Sequence, residues 1–176
     1  MKYGREVNLS QVVFQSGEQK DFAALFRCSN KALDKYLLES LSEKDSVTYI
    51  FIDEDTKKIA GYASLVCSLL TITDDEVTEK YPSVEIKAFA VDEKYQNMPF
   101  SENREDGVLS DKILNNMVSQ IYDIVESVIG ADYILLYSVE NAQDFYERNG
   151  FKKFGETMQE HYNYFNESCI PMYYKL

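Results

Sequence analysis

The stretch YILLYSVENAQDFYERNGF, residues 133–151, decides how this chain of 176 residues folds. It begins with Tyr133–Val139, a nearly continuous apolar run, which is typical of a strand covered on both faces by helices. The pattern then predicts a short helix over Asn141–Arg148, which stops at Asn149-Gly150 because glycine favours the end of a helix. This stretch therefore predicts a buried strand followed by one short helix.

Upstream of this stretch, the sequence predicts another strand and a long helix. Val84–Val91 alternates between an apolar face and a mixed face, which is the period of a strand. Over Ile113–Val128 apolar residues recur at spacings of three and four, which predicts an amphipathic helix. We expect Ser110 to cap this helix, Asp111 to stabilise its first turn and Gly130 to end it. Strand, helix and buried strand together predict a βαβ crossover with two parallel strands.

The rest of the chain predicts short elements around this crossover. In chain order these are an extended segment over Glu6–Phe14, two helices within Lys20–Leu41 with Ser29 or Asn30 as a cap, a hairpin of Val47–Ile52 and Ile59–Thr73, and tail strands Phe151–Glu156 and Pro171–Leu176. The loops Asp92–Ser110 and Glu156–Ile170 are candidate binding elements. The predicted fold is one α/β domain over residues 1–176, with a mixed, mostly antiparallel sheet flanked by helices.

The charge balance bears on the choice of partners. Eighteen Lys and Arg residues stand against 30 Asp and Glu residues, which gives a net charge of -12. Because nucleic-acid affinity rests largely on cations that neutralise phosphates, this balance argues against a general DNA or RNA binder. It favours cationic substrates such as amines, whose association a negative surface field assists.

Widely spaced cysteines and a polar amino terminus bear on the compartment. Cys28, Cys67 and Cys169 form no CxxC pair, so we expect reduced, mostly packed thiols rather than a disulfide framework or a zinc site. Met1–Ser10 lacks the apolar core of a signal peptide, and no segment approaches the ~18 apolar residues of a membrane span. His161 has no partner at motif spacing, so no metal site is predicted. We expect a cytoplasmic protein with no membrane association.

The segment after the buried strand resembles a known signature. It matches the A-x-x-F-Y-E-R-x-G-F pattern of the GNAT superfamily of N-acetyltransferases at Ala142, Phe145, Tyr146, Glu147, Arg148, Gly150 and Phe151. The similarity extends in the right order to Ile59–Leu65 and to Glu85–Val91 with Asp92, Tyr95 and Gln96. The resemblance implies a GNAT fold, acetyl-CoA as cosubstrate and transfer of an acetyl group to an amine.

The resemblance also implies catalytic roles. Acyl transfer to an amine needs a deprotonated nucleophile and an acid for the departing thiolate. Tyr146 resembles the family's acid, because a phenol with a pKa of about 10 is protonated at neutral pH. The alternative is that Tyr146 only packs its helix. Glu85 is the candidate base, directly or through water, and the alternative for it is an ion pair with Lys87.

Acetyl-CoA is expected along the Val84–Val91 strand, in the gap beside the Tyr133 strand, and at the turn before the long helix. The resemblance places the pantetheine arm on the backbone of Phe89 and Val91, and the pyrophosphate on N–H groups where the helix starts. The implied cofactor residues beyond Phe89 and Val91 are Gly107, Val108, Leu109, Ser110, Asp111, Ala142 and Tyr146. Lys94, Arg104 and Lys112 either assist the phosphates or are solvated surface charges.

Two departures from the family pattern affect this cofactor site. The usual Q/R-x-x-G-x-G/A motif gives way to an insertion that ends in a single glycine, Gly107, one residue out of register. Asp106 and Asp111 lie close to this glycine in the sequence, and Val139 replaces an asparagine that often contacts CoA in the family. Since backbone amides bind phosphate without two glycines, acetyl-CoA stays the expected cosubstrate.

A branch of the family shares a further pattern near the amino terminus. Its motif F-x-C-x-N-x-x-L-D-x-Y-L is matched at Phe26, Cys28, Asn30, Leu33, Asp34, Tyr36 and Leu37. The branch includes toxins of toxin–antitoxin modules that acetylate aminoacyl-tRNA. We expect instead a primary amine of a small molecule or peptide as acceptor, because the charge of -12 opposes tRNA binding. A tRNA-acetylating toxin and a non-catalytic CoA-binding or interaction module are the alternatives, and a homodimer is left open.

Overall fold

The computed structural model describes residues 7–15, 18–101, 107–159 and 169–176. The described helices and strands follow the order that the sequence predicts, with one further short strand in the tail. In chain order they are β1 Leu9–Val13, α1 Glu18–Ala23, α2 Lys31–Glu39, β2 Ser46–Asp53, β3 Lys58–Asp74, β4 Val77–Val91, α3 Leu109–Ser127, β5 Tyr133–Ser138, α4 Gln143–Arg148, β6 Lys152–Lys153, β7 Met158–Gln159 and β8 Ile170–Lys175.

The strands form a mixed sheet around the predicted crossover. Among the described residues, eight strands lie in the order β1-β2-β3-β4-β5-β8-β6, with β7 paired to β3. β4 and β5 pair in parallel from Ser83↔Tyr133 to Ile86↔Leu136. In contrast, β1 pairs antiparallel with β2, and β8 pairs antiparallel with both β5 and β6. The predicted mixed sheet with a central parallel pair and flanking helices is confirmed.

The contacts divide the chain into two compact units. The first unit holds Met1–Ser64 and Ala88–Met117, and the second holds Leu65–Lys87 and Val118–Leu176. Large side chains fill both cores because apolar area removed from water is the main favourable term in folding. Fully buried side chains of the first unit include Phe26, Tyr36, Phe51, Tyr62, Leu109 and Ile113. Those of the second unit include Leu70, Ile121, Ile134, Phe151 and Met172.

Both ends of α3 differ from the sequence prediction. The helix begins at Leu109, so Ser110 lies inside it and is not its cap, whereas Asp111 does lie in the first turn. The start is set by a bridge between Pro99 and Val108 and by the Leu109 N–H, which donates to the Met98 carbonyl at 2.8 Å. Such a tertiary hydrogen bond satisfies a helix-terminal donor without a capping side chain.

The predicted end of α3 at Gly130 is also wrong, since the helix ends at Ser127. The N–H groups of Val128 and Ile129 both donate to the Ile124 carbonyl, at 2.8 and 3.1 Å, and these bonds close the last turn before the glycine is reached. Gly107 and Gly150 are the described glycines with positive φ, so Gly130 has no left-handed conformation of the kind that ends helices. In contrast, the predicted cap at Asn30 is confirmed, because its side chain accepts from the N–H groups of Ala32 and Leu33.

The strands extend further than the sequence predicts. β4 begins at Val77, not at Val84, because Asp75 and Glu76 both adopt positive φ, 41° and 73°, in a tight turn after β3. A turn with two left-handed residues matches the twist of the flanking strands. The sequence gives no glycine or asparagine here, so this turn was not predicted. The one described strand that was not predicted, β7, lies in the predicted Glu156–Ile170 loop and pairs with Thr71–Ile72 of β3.

The three cysteines lie in different environments. All three cysteines are free, as predicted, but only Cys28 is buried, whereas Cys169 is half-buried and Cys67 is exposed. The expectation of mostly packed thiols is therefore wrong for Cys67, which lies near the middle of β3.

In the part of the chain that the structure describes, no helix has both the length and the apolar character needed to cross a membrane.

Gly61 marks the closest backbone approach in the first unit. A Cβ atom at this position would lie 2.9 Å from the Ala90 carbonyl oxygen and 3.3 Å from Cδ1 of Ile113. Because the oxygen belongs to the backbone of β4, it cannot rotate away as a flexible side chain does. The missing side chain therefore allows β3, the end of β4 and the start of α3 to pack together.

We predict that Gly61→Ala destabilises the protein by about 1–3 kcal/mol, the usual cost of overpacking a core. Gly130→Ala is the matched control, because a Cβ at residue 130 meets nothing within 4 Å. The measurement is equilibrium unfolding in urea, compared at the transition midpoint. A Gly61→Ala variant as stable as the control would contradict this account of the packing.

Candidate active site

The carboxyl end of β4 is the first part of the candidate site. Phe89 is half-buried and Val91 is buried, as expected for the last residues of a strand inside a sheet. The parallel ladder with β5 stops at Ile86, although β4 continues to Val91. The Val91 carbonyl accepts a hydrogen bond from Nε2 of Gln96 at 2.8 Å. The strand end that the sequence assigns to the pantetheine arm is therefore held by a side chain of the following turn.

A buried carboxylate organises that turn. Asp92 is only 7% exposed, and its two oxygens accept from the backbone N–H groups of Arg27 and Lys94, at 3.1 and 3.0 Å. Its carbonyl accepts from the N–H groups of Tyr95 and Gln96, at 2.8 and 3.1 Å. A buried carboxylate is tolerated when hydrogen bonds replace its hydration, and here backbone donors supply them.

Tyr95 ties the same turn to the end of β2 and to the loop that follows it. Its hydroxyl donates to Oδ2 of Asp53 at 2.9 Å, and it lies 3.1 Å from Oγ1 of Thr56. Burial and the neighbouring Asp53 carboxylate raise the pKa of Tyr95, because both disfavour a phenolate at this position. The hydroxyl therefore stays a donor, and the pairing of Tyr95 with Asp53 was not predicted from the sequence.

After the end of β4 and the turn that follows it, the start of α3 is the next part of the candidate site. The sequence resemblance predicts that the pyrophosphate binds here. Gly107 adopts φ of 81°, and its carbonyl accepts from the Phe100 N–H at 3.0 Å. Left-handed residues beside a helix start turn successive N–H groups toward one side and can form an anion-binding concavity. The dipole of the 19-residue helix adds partial positive charge here, which the Asp111 carboxylate in the first turn offsets.

A cavity of about 380 Å³ adjoins this helix start within the first unit. It is lined by Val7, Asn8, Leu9, Phe100, Lys112 and Asn116. The Lys112 ammonium lies 5.3 Å from the centre of the Phe100 ring, a cation–π distance. Lys112, which the sequence left as either a phosphate contact or a solvated charge, thus stacks on an aromatic ring at the cavity wall.

Tyr146, the candidate acid, lies in the second unit. It is buried on α4 and packs edge-on between Phe145 and Phe151, with ring centroids 5.0 and 5.8 Å away. Its carbonyl accepts from the Phe151 N–H at 3.1 Å, after Gly150 turns the chain at φ of 91°. Burial, with a smaller contribution from Cys169, raises the pKa of Tyr146 above that of an ordinary phenol. The hydroxyl therefore carries its proton at neutral pH.

Glu85 and Ala142 also lie in the second unit. The Glu85 carboxylate is half-buried and accepts a hydrogen bond from the Ser68 hydroxyl at 3.0 Å, across from β4 to β3. Lys87 follows on the same strand face, two residues along. Ala142 ends the 3-10 turn Glu140–Ala142 just before α4, and its N–H donates to the Val139 carbonyl at 3.0 Å. Ser68 as a partner of Glu85 was not predicted from the sequence.

Several predicted residues lie outside the described ranges. They are Arg104 and Asp106 in the loop before α3, and His161 in the tail. Within the described residues, no group of three or more His, Cys, Asp or Glu side chains is placed to hold a metal ion.

Comparison with known proteins gives matches among solved structures. A scan against protein-family models finds no match. A search of curated proteins finds none either. A crystal structure of a bacterial toxin matches with a TM-score of 0.71 and 17% identity, over 96% of this chain and 91% of that chain.

Two further matches are structures of one toxin, AtaT. A mutant AtaT bound to the C-terminus of the antitoxin AtaR and acetyl-CoA matches with a TM-score of 0.67 and 16% identity, over 95% of this chain and 92% of that chain. AtaT complexed with acetyl-methionyl-tRNAfMet matches with a TM-score of 0.68 and 15% identity, over 96% and 95% of the two chains. The chain therefore has the GNAT fold that its sequence predicts, and its fold is similar to that of these toxins.

The raised pKa of Tyr146 predicts a loss of stability at alkaline pH. The folded state keeps a phenol proton that the unfolded chain releases above pH ~10, so this stability is present below pH ~10 and is lost as pH rises toward the folded-state pKa. Above pH ~10, the free energy of unfolding should fall by up to about 1.4 kcal/mol per pH unit more in the wild type than in Tyr146→Phe.

The measurement is urea unfolding of both proteins at about pH 8 and about pH 11. Tyr49→Phe, a change at a half-buried tyrosine of β2, is the matched control. Equal pH dependence of the wild type and Tyr146→Phe would show that the phenol ionises as freely in the folded state as in the unfolded chain.

Proposed function

We propose that this protein transfers the acetyl group of acetyl-CoA to a primary amine. The observation that carries the proposal is Tyr146, a protonated phenol buried on the short helix of a GNAT fold. A packed tyrosine that served only the core would be equally well replaced by phenylalanine, so its hydroxyl gives the hypothesis a direct test. The acetyl-CoA in the AtaT–AtaR structure supports the choice of donor.

We assign two segments of the first unit to two parts of the CoA molecule, the pantetheine arm and the pyrophosphate. The strand end Phe89–Val91 supplies backbone groups for the pantetheine arm, and Gly107–Asp111 supplies the left-handed glycine and helix start for the pyrophosphate. The N–H groups of Leu109 and Asp111 are taken by the carbonyls of Met98 and Val108, so we assign the phosphates to the N–H groups of Gly107, Val108 and Ser110. Asp111 makes the site less favourable for an anion than a neutral first turn would.

In the proposed reaction, acetyl-CoA supplies an activated thioester carbon. The amine nitrogen bonds to that carbon, and the carbon–sulfur bond breaks. Tyr146 donates its hydroxyl proton to the departing sulfur, which is the role of a general acid. Glu85 accepts the proton that the amine loses, directly or through water, and the Ser68 hydroxyl orients one of its oxygens. We assign Ala142, the residue just before α4, to the cofactor.

The acceptor that we propose first is the α-amine of an aminoacyl-tRNA. The fold likeness to AtaT with acetyl-methionyl-tRNAfMet, over more than nine-tenths of both chains, supports this acceptor more than the small-molecule or peptide amine expected from the sequence. A protein antitoxin is the corresponding partner, as in the AtaT–AtaR structure. The net charge of -12 favours the second candidate, a small cationic or peptide amine.

The catalytic proposal predicts that Tyr146→Phe lowers the rate of CoA release about 10²–10⁴-fold, the usual contribution of a general acid. Affinity for acetyl-CoA should be unchanged, because the hydroxyl acts only as the sulfur departs. Release of free thiol, with equilibrium binding measured in parallel, separates the two effects. Tyr49→Phe should keep the wild-type rate, and an undiminished rate in Tyr146→Phe would remove the acid from the mechanism.

The acceptor proposal predicts acetylation of charged tRNA that falls steeply between about 50 and 200 mM salt, because phosphate contacts release counterions. Radiolabelled acetyl-CoA, charged methionyl-tRNA and a panel of polyamines, amino acids and peptides are the reagents. Acetylation of a small amine with no labelling of tRNA would select the second candidate. Binding of CoA with no turnover on any acceptor would select a non-catalytic module.

A further inference from the structure

The connection between α1 and α2, residues 24–30, is fastened to the turn that follows β4. The Arg27 N–H donates to the buried Asp92 carboxylate at 3.1 Å, and the Arg27 carbonyl accepts from the Glu93 N–H at 2.8 Å. The Ser29 hydroxyl donates to the Glu93 carboxylate at 2.8 Å, while Ser29 itself adopts φ of 70°. The connection therefore has a conformation that is specified by hydrogen bonds to Asp92 and Glu93, which lie 64–66 positions further along the chain.

Gln96 joins the same two parts of the first unit. Its Nε2 group donates to the Val91 carbonyl at 2.8 Å and to the Cys28 carbonyl at 3.3 Å. An amide NH₂ group has two donors, so one side chain can bond the end of β4 and the connection at the same time. Any movement of the connection therefore alters the hydrogen bonding at the last residue of β4.

The turn also contacts the start of α3. The Met98 carbonyl, at the end of this turn, accepts from the Leu109 N–H at 2.8 Å. Within the first unit, the Asp92–Met98 turn thus touches the strand end and the helix start that we assign to acetyl-CoA. The same turn is hydrogen-bonded to the connection through Asp92 and Gln96.

We propose that Asp92 is a positioning residue that couples the α1–α2 connection to binding of acetyl-CoA, an inference that rests on the proposed function. Coupling of this kind is reciprocal: if ordering the connection favours the cofactor, the cofactor must order the connection. Asp92 and Gln96 do not need to touch the cofactor for this role. They act through the backbone of Val91 and of the turn.

Cys28 offers a built-in reporter of the connection. Its thiol is buried and donates to the Asn30 carbonyl at 3.6 Å, and its N–H donates to the Asp34 carboxylate at 2.8 Å. Burial raises the pKa of Cys28 to about 12, so alkylation requires the connection to open. Exposed Cys67, on β3, supplies an internal reference in the same sample.

The experiment is site-resolved alkylation by iodoacetamide, read by mass spectrometry, across a series of acetyl-CoA concentrations. Asp92→Asn keeps the shape of the side chain but replaces one of its two acceptor oxygens with an NH₂ group. Gln96→Leu removes both N–H donors of the side-chain amide, at an exposed position where folding tolerates change. Asp123→Asn makes the same charge change as Asp92→Asn at an exposed position on α3 and is the matched control. Melting temperatures identify any variant that fails to fold.

In the wild type and in Asp123→Asn, acetyl-CoA should slow the alkylation of Cys28 about fivefold or more, a coupling of ordinary size. In Asp92→Asn and Gln96→Leu, Cys28 should react about tenfold faster, and the acetyl-CoA concentration that gives half-protection should rise about tenfold. Alkylation of Cys67 should be the same in all four proteins.

The outcomes separate this inference from the proposed function. Equal half-protection concentrations in the wild type and in both variants would overturn the coupling and leave acetyl-CoA binding in place. No effect of acetyl-CoA on Cys28 or on the melting temperature of the wild type would contradict the proposed function, and the coupling with it. Faster alkylation of Cys28 in Asp123→Asn as well would also overturn the role of Asp92.

Discussion

The structure of the first unit depends on the buried carboxylate of Asp92 at the end of β4. A carboxylate this far from water is stable only while its oxygens accept hydrogen bonds, and the donors here are the backbone N–H groups of Arg27 and Lys94. Conformations that separate these groups leave a buried charge unsatisfied, which costs more than a single hydrogen bond is worth. The turn after β4 is therefore fixed, and so is the helix start that follows it through Met98 and Leu109.

This constraint explains how a chain with one glycine before α3 retains a candidate phosphate site. The usual family motif shapes its loop with two small residues, whereas here tertiary hydrogen bonds and left-handed Gly107 define the entry into the helix. The chemistry that we propose depends on a second environment, the aromatic packing around Tyr146, which keeps the phenol protonated. One fold supports many acceptors, so neither of these two features selects the acceptor.

The sequence predicts the fold well because the fold follows local periodicity. Alternation in Val84–Val91 and the buried run Tyr133–Val139 both become strands, and the Asn30 side chain caps α2 as its chemistry requires. The errors occur where distant residues decide the outcome. Ser110 has the chemistry of a cap, but the Met98 carbonyl sets the start of α3 at Leu109.

The candidate site is predicted less completely, for the same physical reason. Tyr146 and Glu85 carry recognisable chemistry at recognisable places, so the sequence names them. Asp92 and Gln96 are visible only as part of a resemblance, because their partners at Arg27 and Cys28 lie far away in the chain. No local pattern shows that Asp92 is buried, that Tyr95 pairs with Asp53 or that Ser68 holds Glu85.

Calorimetric titration of the wild-type protein with acetyl-CoA tests the central claim most directly. We expect one saturable site with a dissociation constant in the micromolar range, accompanied by the rise in melting temperature that mass action requires. Absence of heat and of any melting shift at about millimolar acetyl-CoA would contradict an acetyl-CoA site at the end of β4 and the start of α3.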